Sequence, residues 1–175
     1  LPQKKVNEAW SRVLEQYPKM KNWGIETDVG PLEGGYLEFY SPKESRSPKP
    51  GTPLIRVDPK TAEREDLESM MFGDALHYAP EVDPRINQWR EDIRGSLSDG
   101  QLSRSRGRYT DYTSPESKYY NPRENRSYED WFENSDLDAI IRGYMTGQWG
   151  DKGYPEKQRF IMDAMKAYLG GKLGK

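Results

Sequence analysis

The sequence predicts an α+β fold, and three observations carry that expectation. Several segments place apolar residues at helical spacing. Two short runs, one over residues 36–40 and one over 53–57, read as strands flanked by Gly and Pro. Five Trp, twelve Tyr and four Phe supply large burial area in a chain that is only 33% apolar and 32% charged, with a mean hydropathy of -1.08. So polar a composition would suit disorder if the apolar residues were scattered, but they cluster. The expectation is one domain over residues 1–175, with two or more short strands in a small antiparallel or mixed sheet, about six helices, and a long polar loop over 96–126.

Val6, Trp10, Val13, Leu14 and Tyr17 form one stripe of an amphipathic first helix that stops at Pro18. Residues 22–35 hold five Gly or Pro and read as irregular connection. Gly34-Gly35 precedes the first strand candidate, and Asp58-Pro59 ends the second. Between the strands, residues 41–52 contain no apolar side chain and read as an exposed hairpin loop or crossover, with 43–50 a stiff connector. Asp58 as N-cap and Pro59 at the first helical position predict a helix over about 59–79. Its buried face would run through Leu67, Met70 and Met71 to Asp74, His77 and Tyr78. Asp83-Pro84 opens another helix with Ile86, Trp89 and Ile93, closed near Gly95. Ser127 with Asp130, and Ser135 with Asp138, both resemble capping boxes and predict two further starts. The second of these carries Leu137, Ile140, Ile141, Tyr144 and Met145 and ends at Gly147. A last helix from Pro155 is expected to bury Phe160, Ile161, Ala164, Met165, Tyr168 and Leu169 before Gly170-Gly171.

The 27 basic and 29 acidic residues are interleaved and leave a net charge of -2, so no strong overall field points to nucleic acid or a membrane surface. There is no cysteine, which removes disulfides, thiol nucleophiles and Cys-ligated zinc. No stretch approaches a membrane span, and no apolar h-region marks a signal peptide. A sequence that begins at Leu1 without Met suggests processing, or a domain cut from a longer protein.

The chemistry centres on one run, Gly73-Asp74-Ala75-Leu76-His77, which holds the only histidine. In a His-Glu-x-x-His helix, two imidazoles one turn apart bind zinc and the Glu serves as general base for the metal-bound water. Here the second His is present, Asp stands for Glu and Gly for the first His. The strand at 53–57 precedes this run. Asp136 and Asp138 follow on a later helix, and the closing segment holds Tyr128-Glu129-Asp130-Trp131-Phe132, Arg142-Gly143-Tyr144 and Tyr154-Pro155-Glu156-Lys157-Gln158. Over roughly residues 34–169 this pattern resembles zincin-like, gluzincin-type metallopeptidase domains, especially those embedded in large multidomain proteins of tailed bacteriophages. The resemblance implies that His77 matches the second zinc ligand and Asp74 the general base. Asp136 or Asp138 would stand for the acidic third ligand, and Gly73 occupies the place of the first.

Two physical arguments weigh against peptidase chemistry on this motif. Zinc sites usually need three protein ligands. An Asp base is also about one methylene short, and a displacement near 1 Å costs on the order of a hundredfold in rate. The bland reading of Asp74 and His77 is a structural hydrogen bond across one helical turn, and it is the favoured one. Asp136 and Asp138 likewise suit a helix N-terminus.

The leading expectation is therefore a non-catalytic pseudo-metallopeptidase domain, a structural or interaction module of a phage virion or ejected protein. Its partners would be other virion proteins, its location the virion, or the host cytoplasm or periplasm after ejection, and no cofactor is expected. The alternative is a hydrolase, metal-dependent with zinc or carboxylate-based, a peptidase or peptidoglycan-cleaving enzyme that uses His77, Asp74 and one of Asp136 or Asp138. A further alternative rests on Arg104, Arg106 and Arg108 followed by Tyr109 and Tyr112, since alternating Arg and aromatics can grip single-stranded nucleic acid. Against it, residues 96–126 hold six basic and four acidic side chains, a small surplus. A solvated or protein-docking loop is the simpler reading.

Overall fold

A computed structural model describes residues 1–97, 116, 128–150 and 156–171. It is α+β, as expected: among the described residues are six α-helices and a three-stranded mixed sheet. The chain gathers into two compact units, Leu1–Val82 and Asp83–Lys175.

In the first unit, α1 (Pro2–Gln16) buries Val6, Ala9, Trp10 and Val13, so the predicted stripe faces the core. Tyr17 leaves the helix at Pro18, where a 3₁₀ stretch Pro18–Trp23 begins and buries Met20 and Trp23. Three strands follow: β1 (Glu26–Val29), β2 (Leu37–Tyr40) and β3 (Leu54–Val57), in the order β1-β3-β2. β3 runs parallel to β1 and antiparallel to β2. Strand alternation puts Thr27, Val29, Ile55, Val57, Leu37 and Phe39 on one face. Ile55 and Val57 on that face are wholly buried. Asp28, Arg56 and Glu38 form a charged row across the other, in register.

β1 lies inside the stretch expected to be irregular. Glu-Thr-Asp-Val has weak strand propensity, and pairing to β3 supplies what local sequence does not. The Arg56 guanidinium holds Asp28 from the directly opposite position, with Nε donating at 3.0 Å and Nη2 at 2.8 Å. The polar segment 41–52 is indeed the β2–β3 hairpin loop, and it is tied down by its own turns. Lys43 and Lys49 donate backbone N–H groups to Ser41 Oγ and Ser47 Oγ, and Ser47 is buried.

The long helix expected over 59–79 is broken. Asp58 caps a turn instead: its carboxylate accepts from the Lys60 and Leu32 backbone amides, each at 3.0 Å. Thr61–Glu63 forms one 3₁₀ turn, pinned by Thr61 Oγ1 donating to the Gly35 carbonyl at 2.7 Å, and Arg64 is extended. Only then does α2 (Leu67–Ala75) begin, with Leu67, Met71, Phe72 and Ala75 buried. A second 3₁₀ turn, Leu76–Tyr78, and the short α3 (Ala79–Val82) complete the unit. Local capping signals lost here to a side chain needed by the neighbouring loop.

In the second unit, α4 (Arg85–Ser96) buries Ile86 and Ile93, as the Asp83-Pro84 signal predicts. The two expected starts near 127 and 135 are one helix, α5 (Tyr128–Thr146), which passes through Ser135 without a break. Ala139, Ile140, Ile141 and Met145 are buried on it. The helix stops at Gly147, whose φ of 70° lets its N–H reach the Gly143 carbonyl at 2.8 Å. In α6 (Glu156–Leu169) the core residues are Ile161, Met162, Ala164 and Met165. Leu169, the last residue of the helix and expected to be buried, is 48% exposed. Tyr168 is half-buried and donates its hydroxyl to Asp92 at 2.8 Å.

Candidate functional site

Gly73, Asp74 and Ala75 close α2, whereas His77 lies in the 3₁₀ turn that follows. An α-helix turns about 100° per residue and a 3₁₀ helix about 120°. The change of helix type therefore offsets position 77 further from position 73 and aligns it more closely with position 74. Packing sets the direction. Leu76 and Ala79 are buried, and Tyr78 sits between the Trp23 ring, edge-on at 6.4 Å, and the Phe39 ring at 5.5 Å. His77, between these anchored residues, is exposed. This corrects the expectation that the acid and the imidazole share an inward face.

Asp74 is half-buried. Burial raises its carboxyl above the usual carboxylate range, the nearby His77 opposes that, and the Glu38 carboxylate adds to it. No hydrogen bond joins Asp74 to His77, so the structural bond favoured from the sequence is not made. Gly73 has open space where a Cβ would stand. No steric demand for glycine explains the missing first ligand.

The carboxylates expected to complete a metal site are engaged elsewhere. Asp136, 2% exposed, accepts from Arg94 Nη2 at 3.1 Å. Asp138 accepts from Arg142 Nε at 3.0 Å and from Gln158 Nε2 at 3.1 Å. A carboxylate held by guanidinium would have to give up that charge-assisted bond to take a cation. His77 belongs to the first unit, and Asp136 and Asp138 to the second. Among the described residues no three of His, Asp and Glu are grouped so as to hold a metal ion. Arg104, Arg106, Arg108, Tyr109 and Tyr112 lie outside the described residues.

One concave feature went unread in the sequence. α1 and the segment around 61–68 enclose an open groove of about 260 Å³. Lys5, Glu8 and Arg12 line it from α1 at helical spacing, and Glu63, Glu65 and Glu68 line it from the other side. Ion pairs Lys5–Glu63 and Arg12–Glu68 bridge the two walls. The signal was present as a second, polar stripe on α1 and an acid-rich run from Glu63, but neither reads as a groove until the chain folds. No helix among the described residues is long and apolar enough to cross a membrane. Compared with protein-family models, characterised proteins and solved structures, the chain matches none of them.

Proposed function

We propose that this chain is a non-catalytic module with a structural or interaction role, a pseudo-metallopeptidase in the terms of its zincin-like resemblance, set in a tailed-phage virion or ejected protein. The observation that carries the non-catalytic reading is the state of the motif itself. His77 is exposed on a 3₁₀ turn without a hydrogen bond to Asp74, and the candidate acidic ligands are bound by Arg94 and Arg142. A water-activating metal needs convergent ligands and a base within reach. The exposure of His77 and the lack of a hydrogen bond between it and Asp74 support the non-catalytic reading. The virion setting and virion partners rest on the resemblance alone.

The test is elemental analysis after zinc exposure and desalting, run on the protein and on His77→Ala, with hydrolysis of casein and peptidoglycan followed in parallel. The expected result is no stoichiometric zinc in either protein and no hydrolysis. Stoichiometric zinc that disappears in His77→Ala, with hydrolysis lost alongside it, would establish the hydrolase instead.

A further inference from the structure

β2 is an edge strand, and the ladder shows which of its backbone groups are free. Neighbouring positions in an antiparallel pair alternate between hydrogen-bonded and open. The Asp58 amide donates to the Tyr36 carbonyl at 2.8 Å, so Glu38 with Arg56 and Tyr40 with Leu54 are the bonded pairs. Leu37 and Phe39 therefore turn their amides and carbonyls away from β3. The other side of β3 agrees, since the Val57 carbonyl accepts from the Gly30 amide just past β1 at 3.1 Å. Among the described residues no hydrogen bond reaches the Leu37 or Phe39 backbone. Their side chains are half-buried, and Tyr36 beside them is 56% exposed. Proteins usually blunt such an edge with Lys, Pro or a bulge, and β2 has none of these. β1, the other edge, carries Glu26 and Asp28 and packs against α1, where Thr27 Oγ1 donates to Asn7 at 3.3 Å.

The charges define what would fit. Opposite positions across the sheet read Asp28, Arg56, Glu38, an alternation of minus, plus, minus. Arg56 is forked onto Asp28, so Glu38 ends the row without a close cation. Arg46 approaches Glu38 only to 3.6 Å, is 74% exposed and lies nearer Glu44 at 2.6 Å. The other contact of Glu38 is neutral, the Tyr40 hydroxyl at 3.0 Å.

We propose that β2 accepts an added strand from a partner protein, an extended segment in which apolar and basic residues alternate. Its backbone pairs with the open amides and carbonyls of Leu37 and Phe39. Its basic side chain stands opposite Glu38 and continues the charge row, while the apolar residues on either side of it extend the face of Leu37 and Phe39. A second copy of β2 fits less well. Antiparallel self-pairing centred on Glu38 sets two carboxylates face to face, and pairing centred on Phe39 sets Glu38 against Tyr40, with no cation. The proposal deepens the interaction-module reading and rests on it.

The experiment is backbone hydrogen exchange on the whole chain, read by two-dimensional NMR. In the free protein the Leu37 and Phe39 amides should exchange faster than those of Glu38 and Tyr40. A short alternating Val/Lys peptide, at about ten times its Kd, should slow exchange at Leu37 and Phe39 by about tenfold. The same peptide with its amides N-methylated should give no protection, and an alternating Val/Glu peptide should bind more weakly. Glu38→Gln, its fold checked by circular dichroism, should weaken Val/Lys binding by about threefold and narrow the preference between the two peptides. No protection by the Val/Lys peptide, or protection that survives N-methylation, would overturn the proposal. So would protection of the free protein that grows with its own concentration, which would put a second copy on the edge. The zinc and hydrolysis assay reads the module assignment separately: an inactive protein with an unprotected edge sinks the strand addition alone, and His77-dependent hydrolysis sinks the module.

Discussion

Gly143 of α5 lies directly under the indole of Trp149: a Cβ added to Gly143 would stand 2.3 Å from the ring's Cε3 atom. The chain turns back at Gly147 and lays Trp149 across the helix it has just left, where the ring also meets Trp89 edge-on at 6.3 Å. Gly143→Ala should therefore destabilise the second unit by about 1–3 kcal/mol, the usual cost of overpacking. Chemical denaturation of Gly143→Ala, Trp149→Ala and the double variant checks it. The double variant should lose less than the sum of the two, because the clash needs both side chains. Additive losses would refute the packing account.

Asp74 gives a pH prediction with a definite sign. Its folded carboxyl is raised by burial, so the folded state binds the proton more tightly than the unfolded chain. Its contribution to stability is greatest below the ordinary carboxylate range and falls as pH rises through the raised value. Asp74→Asn should then stabilise the protein at neutral pH, by about 0.5–1 kcal/mol, through removal of a partly desolvated charge. Melting curves between pH 4 and pH 8 should show a flatter profile for the variant. A variant that is less stable at pH 7 would mean that the carboxylate is satisfied in solution.

Asp83 runs the other way. Arg85 holds it through Oδ1 at 2.9 Å and Oδ2 at 2.6 Å, and this pairing, helped by Tyr144, lowers its carboxyl to about 2. A lowered folded value stabilises above the unfolded one and loses that contribution as pH falls through the folded value. The expected window of loss is therefore from the ordinary value of 3.8 down to about 2. Arg85→Gln should move the acid unfolding midpoint upward. An unchanged midpoint would show that the pair is too exposed to matter.

Asp28 and Arg56 should be worth more than a surface pair, since the Arg56 side chain is only 24% exposed and its guanidinium binds in a fork. Arg56→Met should cost about 1–3 kcal/mol by leaving Asp28 without its bidentate partner. A denaturation midpoint within error of the unaltered protein would rule this out.

Restoring the motif letters should not restore the site. Gly73→His with Asp74→Glu is sterically open at position 73, yet position 77 remains on the 3₁₀ turn. Elemental analysis of this double variant is expected to find no stoichiometric zinc. A tight one-to-one complex would show that the turn re-forms as α-helix around the metal.

Much of the architecture was legible from spacing alone. The stripe on α1, the pair β2 and β3, and the Asp83-Pro84 start of α4 all rest on local periodicity and capping, which physics reads from neighbours in sequence. β1 was not legible because Asp28 is a strand residue only opposite Arg56. The helix at 59–79 failed because Asp58 serves Leu32, a residue far away in sequence, as well as Lys60. At Ser135 a capping pattern sits inside α5, where helix hydrogen bonding outcompetes it. Spacing put Asp74 and His77 on one inward face, whereas packing of Leu76, Tyr78 and Ala79 leaves His77 exposed, which no local pattern encodes.

The strand order carries a consequence for how the protein is made. β1 and β2 are not neighbours; each pairs only with β3, the last of the three along the chain. During synthesis from the N-terminus, β1 and β2 emerge first and wait, and no ladder can close until Val57 has left the ribosome. Until then Phe39 and Tyr40 have no sheet partner. Ribosome-bound chains that present residues 1–52 should be protease-sensitive throughout, and those that present residues 1–82 should gain protection in a single step. Protection of the shorter chains would mean that α1 shields β1 before the sheet exists.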